Sequence, residues 1–483
     1  MKRRFVFHVS STLAFSLALQ FVGLARHILI AAYFGVARAM DGYLVLYTLV
    51  TLVAFNLSNV FDAVAVSRLV QIQNRDGVDA FWKASNRLLL QATVTGVALA
   101  GFFLVILRLA LPILAAGFSV SEREALVSLG TYFVPWIIVV IPYYALAAHL
   151  KAQWNFQWVF GTEIVTVLVS LTVLWLHHDG IENLPIAYFV GYLVATIVLL
   201  LRRGLRRVPH NVAAAPIARD MVWQHFANQI GTVNGLTDRF FQSFLAVGGI
   251  SALGYAGQIV NNLSSLLSFR EIYVVPLASE AGRSEKIERM LKGIVLVSIP
   301  VSAFLVFFSR PIVEVLFARG HFDAVAVAST SRVLAITSIG LAASSMLAPL
   351  LRIFQITNKV LFTHVFYASW LVCIVVFQYI FVFLLKWDIE GYAIGSCLTA
   401  FLLTAWVAIL VSYCNIVIVW RRVLSYALFA AGLAACASYL AVLGSAPYSG
   451  LVKLLIAGPL YGCVIAVGYL VIHRRIRVII GAT

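Results

Sequence analysis

Residues 360–385 read VLFTHVFYASWLVCIVVFQYIFVFLL, a run without Asp, Glu, Lys or Arg, bounded by Lys359 and Lys386. About 20 apolar residues carry a helix across the hydrocarbon core of a bilayer, so this stretch predicts a membrane span. The same signature recurs at Leu88–Leu107, Ala125–Leu150, Asn183–Leu201, Val333–Leu351 and Leu454–Ile472. Three longer charge-free windows also occur. Phe240–Phe269 divides at Gly248-Gly249, and Val423–Val452 divides between Gly444 and Gly450 around Pro447. Gly391–Trp420 reads as one helix running into a polar stretch near Asn415. Spans are expected near 5–34, 42–66, 87–112, 126–150, 158–177, 185–202, 222–247, 252–279, 291–309, 325–350, 359–385, 391–413, 422–443 and 452–473, about 14 transmembrane helices.

Composition points the same way. Of 483 residues, 62% are hydrophobic and 11% charged, whereas a soluble domain is about half apolar and about a quarter charged. Fourteen spans take up about 280 residues, and the rest, shared among loops and tails, leaves no room for a separate soluble domain. Disulfide scaffolds, coiled coils and disordered regulators are excluded. The expected class is an all-α polytopic membrane protein. Met1-Lys2-Arg3-Arg4 followed by an apolar run resembles a signal peptide, but the run continues past Arg26 without a small-residue cleavage site and reads as a retained first span. Cys373, Cys397, Cys414, Cys436 and Cys463 all lie in late apolar stretches with no C-x-x-C pair, which is the pattern of packing residues. No metal site and no cofactor is expected.

Charge asymmetry sets the orientation, because cytoplasmic loops collect Lys and Arg. With an even number of spans, both tails and alternate loops share one side. That side holds 24 of the 35 basic residues, from Lys2, Arg3 and Arg4 through Arg68, Arg202 and Arg283 to Arg474, Arg475 and Arg477. The other side holds 6 (Arg38, Arg123, Arg310, Arg319, Lys386 and Lys453), together with acids such as Glu122, Glu124, Asp179, Glu182, Asp388 and Glu390. Both termini are therefore expected in the cytoplasm. The net charge of +16 is distributed for topology and for anionic lipid headgroups rather than for nucleic acid.

The remaining basic residues are Arg26, Arg108, Arg239, Arg270 and Arg332. Arg108 and Arg332 sit near span ends, within snorkelling reach of the interface. Arg26, Arg239 and Arg270 lie deeper, and so do the acids Asp62, Glu163, Asp238 and Glu271. An ionisable group within a span costs about 2.5–3.5 kcal/mol on insertion scales, so it faces the bundle interior or a water-filled path. Asp238-Arg239 and Arg270-Glu271 are adjacent opposite charges, and helical neighbours point about 100° apart, so each residue reaches a different partner. One reading is inter-helix salt bridges that fix packing. The other is a polar cavity displaying guanidinium groups, whose planar forks bind oxyanions bidentately. Arg26 stands in Gly23-Leu24-Ala25-Arg26-His27, where Gly23 thins the helix for a bend or a close approach.

The sequence also carries a faint duplication. A shift of 212 superposes Tyr43 on Tyr255, Ser67 on Ser279 and Arg26 on Asp238. Internal repeats are common in transporters. Two six-helix bundles are expected, at 1–207 and 208–415, with two further C-terminal helices at 416–483.

Gly23-Leu24-Ala25-Arg26, Ala32-Tyr33-Phe34-Gly35 and Asp41 together resemble the opening of MurJ/MviN-type lipid II flippases, of the multidrug/oligosaccharidyl-lipid/polysaccharide (MOP) exporter superfamily. Pro311-Ile312-Val313 with Val315–Phe322 resembles a segment characteristic of the same family, as does Ser243-Phe244-Leu245 running to Gly254-Tyr255-Ala256. The resemblance implies a MATE-like fold, no enzymatic activity, and alternating access in a bacterial cytoplasmic membrane. It also implies a cavity holding the headgroup of an undecaprenyl-diphosphate-linked glycan, with the lipid tail along the last two spans. Candidate cavity residues are Arg26, Asp41, Asp238, Arg239, Gln258, Arg270 and Glu271. Lipid II flippases carry several cavity arginines; Arg26 matches one, and Gln20, Ala54 and Gln258 stand at other matching positions. Asp238-Arg239 is instead similar to a pair in Wzx-type polysaccharide transporters. Some relatives place a sodium site in span 11, where this chain offers Gln378.

The leading expectation is a flippase for an exopolysaccharide, capsule or O-antigen repeat unit, with lipid II as the alternative substrate. Its partners would be the lipid-linked glycan, membrane lipids and polysaccharide polymerase or export machinery, with no nucleic acid. A membrane polymerase would need a sizeable outer loop with catalytic groups, which this chain lacks. A multidrug exporter's mostly cationic substrates fit poorly with three deep arginines.

Overall fold

The computed structural model describes residues 2–204, 206, 221, 233–268, 283–357, 359–414 and 416–480. Among the described residues all regular structure is helical. The chain separates into two compact units, Met1–Phe244 and Leu245–Thr483. The boundaries expected at 207/208 and at 415 lie outside the described residues.

In the first unit, α1 (Lys2–Phe34) precedes α2 (Arg38–Val50). The second span then continues through the π-helical turns Thr51–Phe55 and Phe61–Ala65, on either side of α3 (Asn56–Val60). Next come α4 (Val66–Leu114), α5 (Val120–Thr131), α6 (Val134–Ala152), α7 (Phe156–Leu176) and α8 (Asn183–Arg203). A further helix, α9, covers 233–242. The basic stretch after residue 66, expected as a loop, is helical and joins the third span in one 49-residue element. Nothing in it stops a helix except Gly77, which takes φ 89° and kinks α4 there. The expected span 126–150 is instead α5 and α6, parted at Tyr132-Phe133, because Pro135 suits a first helical turn and cannot continue the preceding helix.

A close helix–helix contact in this unit joins α4 to α6. Pro142 cannot donate to the carbonyl of Ile138, and α4 presents Gly96 to that carbonyl. A Cβ at position 96 would lie 2.8 Å from the Ile138 oxygen, so only glycine permits this approach. Around it, Tyr143, Leu146, Leu150, Val159, Ala195 and Leu199 form a buried apolar cluster.

The second unit contains α10 (Gly249–Ser268), α11 (Arg283–Phe307), α12 (Ser309–Phe317), α13 (Ala324–Ile339) and α14 (Leu341–Ile356). It continues with α15 (Val360–Gln378), extended by the π-helical turn Tyr379–Leu384, then α16 (Asp388–Ser412), α17 (Trp420–Ser445) and α18 (Gly450–Ile480). The expected span 325–350 is bent by 50° between α13 and α14. In α11, Pro300 leaves the Leu296 carbonyl without its helical donor, and the Tyr469 hydroxyl of α18 donates to it. One turn away Tyr461 donates to the Pro300 carbonyl at 2.7 Å. These two hydroxyls fasten the terminal helix to α11. Among the described residues nine helices are long and apolar enough to cross a membrane, ten if the α13–α14 pair is one span, which is compatible with the fourteen expected.

Candidate functional site

The first unit gathers its deep charges among aromatic side chains. Tyr43 and Tyr47 lie one turn apart on α2, and Tyr188 and Tyr192 one turn apart on α8, so each pair shares a helical face. Trp136 and Tyr143 of α6 fill the space between. The Trp136 ring stacks on Tyr188 at 4.5 Å and lies 6.0 Å from Tyr47. Tyr43 packs on Phe133 at 5.6 Å, and Tyr143 meets Tyr192 edge-on at 5.2 Å.

Arg26 of α1 enters this cluster with its guanidinium 4.6 Å from the centre of the Tyr188 ring. Its Nε is buried and has no hydrogen-bond partner, and no carboxylate among the described residues pairs with it. A desolvated cation–π contact is worth about 2 kcal/mol, while a charge in mid-span costs about 2.5–3.5 kcal/mol. The ring offsets most of that cost but not all of it. The remainder, and the unpartnered Nε, favour an anion. Gly23, expected to admit a neighbour, meets nothing within 4 Å, and α1 runs unbroken past it.

Arg239 of α9 reaches the same helix as the tyrosines. Its Nε donates to Thr48 Oγ1 at 2.7 Å, and its Nη1 donates to Gln242 Oε1 at 2.5 Å. Asp238 and Arg239 are both half-buried. Asp41 is fully buried in the first turn of α2, where the helix N-terminus favours a carboxylate. In the second unit, Gln258 of α10 donates to Asn262 Oδ1 at 2.9 Å. Arg270 and Glu271 lie outside the described residues. The structure thus brings Arg26 and Arg239 to α2. The aromatic cluster was missed in the sequence reading, although its two i, i+4 tyrosine pairs could have signalled it.

At the end of the first unit where α2 begins, Arg38 donates its Nε to Glu122 at 2.9 Å and an Nη2 to the Gly117 carbonyl at 3.1 Å. Its guanidinium covers the Phe118 ring at 3.6 Å. Ser119 and Glu122 complete a capping box on α5. The Arg38 hydrogen bond, helped by the Ser119 amide, pulls the Glu122 carboxyl down to about 2. Among the described residues no group of three or more His, Cys, Asp or Glu could hold a metal ion.

Residues 30–457 match the family model described as "Lipid II flippase MurJ". The chain belongs to the MurJ family. A curated MurJ relative from Aquifex aeolicus (strain VF5), described as a "Probable lipid II flippase MurJ", is 24% identical over 426 residues, covering 81% of each chain. A second, of the same description, from Buchnera aphidicola subsp. Acyrthosiphon pisum (strain APS), is 23% identical over 361 residues, covering 66% of this chain and 67% of the relative. In solved structures the fold is similar to "Lipid II flippase MurJ, inward closed conformation", with a TM-score of 0.81 at 17% identity over 96% of this chain and 99% of that one. An inward-facing multidrug resistance MATE transporter of the MOP superfamily gives a TM-score of 0.63 at 14% identity, over 82% and 95%. This MurJ family member is accordingly a multi-pass membrane protein with a MurJ/MATE-like fold. Its family is one of flippases rather than catalysts.

Proposed function

We propose that this MurJ homologue flips an undecaprenyl-diphosphate-linked glycan by alternating access, with both termini cytoplasmic, and that its preferred cargo is a surface-polysaccharide repeat unit. The observation that carries the reading is Arg26: a mid-span guanidinium held by an aromatic ring, with a buried Nε that has no hydrogen-bond partner. A diphosphate supplies the bidentate acceptor that such a group lacks. Arg239, which donates to Thr48 and Gln242, is a second cation of the proposed headgroup site. The inside-negative potential favours outward movement of an anionic headgroup by about 2.3 kcal/mol per charge per 100 mV.

The choice of glycan rests on charge. Ala54, standing where lipid II flippases carry a cavity arginine, is fully buried, and Gln258 hydrogen bonds within its own helix. Fewer cations suit a headgroup less anionic than lipid II, which has a peptide carboxylate beside its diphosphate. Each lost charge-assisted contact is worth roughly 1.5–3 kcal/mol. The second reading, lipid II itself, is favoured by the family match over residues 30–457 and by the described activity of both relatives. Complementation of a strain depleted of its lipid II flippase, beside a deletion scored for exopolysaccharide, separates them. The expected result is no rescue at native expression and loss of polysaccharide in the deletion. Robust rescue with unchanged polysaccharide would make lipid II the cargo.

A further inference from the structure

Some MurJ relatives place a sodium site in span 11, which in this chain is α15 with its π-helical turn Tyr379–Leu384. Gln378 closes α15 where the π turn begins, and its side chain is fully buried. A buried amide inside a span must find its partners within the protein. Its Nε2 donates to the Tyr392 carbonyl at 3.2 Å and to Ser396 Oγ at 3.1 Å, both on α16. Ser396 gives its own proton to the same Tyr392 carbonyl at 3.0 Å. Both α16 oxygens therefore face the amide as acceptors, and this fixes which end of Gln378 is turned toward them. Gly395 makes the room: a Cβ there would press on the amide oxygen at 3.1 Å and on its nitrogen at 3.2 Å.

Oxygens converging beside a helix re-routed by a π turn are the kind of place where transporters hold a coupling cation. A cation needs more than these residues give it. The amide hydrogens point at the two oxygens and would repel a positive ion. A counter-charge is also wanting. Neither α15 nor its π turn carries Asp or Glu, and nor do α10, α13 and α14, the other described helices packed along α16. The two acids in the first turn of α16 are committed elsewhere: Asp388 accepts from the Ala246 amide at 2.9 Å, and Glu390 accepts from Arg332 at 2.6 Å. The residues present do not fit a sodium ion.

We propose that the Gln378 amide stands in for a cation, its two N–H groups supplying in neutral form the contacts that a bound ion would give Tyr392 and Ser396. α15 is thereby tied to α16 in any salt, and a sodium gradient can do no work through this site. The amide oxygen agrees with this reading. It is buried without a hydrogen-bond partner, so the amide is turned to satisfy α16 rather than itself. A carboxylate of the same shape at position 378 would set oxygen against oxygen, and a cation between them would relieve the repulsion. The inference concerns an ion and does not depend on the identity of the cargo.

The test is thermal unfolding of the purified protein in detergent, in sodium chloride and in equimolar choline chloride, from neutral to alkaline pH. An ion that binds the folded protein raises its melting temperature. The wild type should melt alike in both salts. Gln378→Glu should melt lower than wild type in choline and regain part of the loss in sodium, at the alkaline end where the introduced carboxylate is ionised. Gln378→Leu, with no oxygen to offer, should melt lower in both salts equally. A wild type stabilised by sodium more than Gln378→Leu would overturn the inference. So would a Gln378→Glu variant indifferent to sodium across the whole pH series, the result expected of an amide that only packs. Should Gln378→Glu fail to fold, retention of radioactive sodium decides: equal retention by wild type and Gln378→Leu supports the inference, and an excess on the wild type overturns it.

Discussion

The two units repeat one plan and fill it differently. In the first, Ser119 caps α5 and a break at Tyr132-Phe133 leads into α6. In the second, Asp323 caps α13 by accepting from the Ala326 amide at 2.8 Å, and a break at Gly340 leads into α14. Tyr43 and Tyr255, superposed by the sequence shift of 212, are both buried. Yet Tyr43 belongs to the ring cluster around Arg26, whereas Tyr255 packs on Phe317 and Phe322 at 5.4 and 5.5 Å. The main core of the second unit is apolar, built on Met346, Leu350, Phe354, Phe366, Leu403 and Val407. Its buried amide, Gln378, donates to the Tyr392 carbonyl and Ser396 Oγ at 3.2 and 3.1 Å. Among the described residues, the matching tyrosine therefore lines a charged pocket in one copy and packs among rings in the other.

The largest expected effect probes the packing copy. Phe366 is 2% exposed within the apolar core, so Phe366→Ala should cost about 3–5 kcal/mol of stability. A lowered melting temperature in detergent would show it, and an unchanged one would mean that the core is not what holds this unit together.

Arg26 probes the ionic copy. Arg26→Ala should leave membrane abundance nearly unchanged and reduce transport by roughly 10- to 150-fold, the equivalent of 1.5–3 kcal/mol for a lost charge-assisted contact. Lysine should restore only part of it, for want of the bidentate fork. Full activity in the alanine variant would remove the distinction between the units.

The smallest effect sharpens the comparison of the caps. Glu122, held down to about 2 by Arg38, contributes stability that is complete above its unfolded value of about 4.3 and is lost as pH falls toward 2. The pair is partly exposed, so the contribution is about 0.2–1 kcal/mol. Melting temperatures of wild type and Glu122→Gln should differ at neutral pH and converge in acid. A constant gap would place the effect in the cap's shape rather than its charge.

Hydropathy by itself determined the helical membrane class and the position of the nine or ten apolar spans among the described residues, because the cost of burying charge in hydrocarbon falls on each residue separately. The order of short motifs determined the family resemblance, and the deep Arg26 stood out because a lone cation in an apolar run has no local explanation. Local chemistry also placed Pro135 and Gly340, but whether they end a helix or bend it depends on neighbours, and α5–α6 and α13–α14 were read as single spans. Only the tertiary structure decided partners. It turned the basic stretch after residue 66 into helix, closed Lys151 on Asp62 across 89 positions of chain, and set Tyr188 beneath Arg26. Side-chain contacts between distant helices depend on how each helix is rotated about its axis. That rotation is fixed by packing such as Gly96 against the Ile138 carbonyl, which no window of sequence contains.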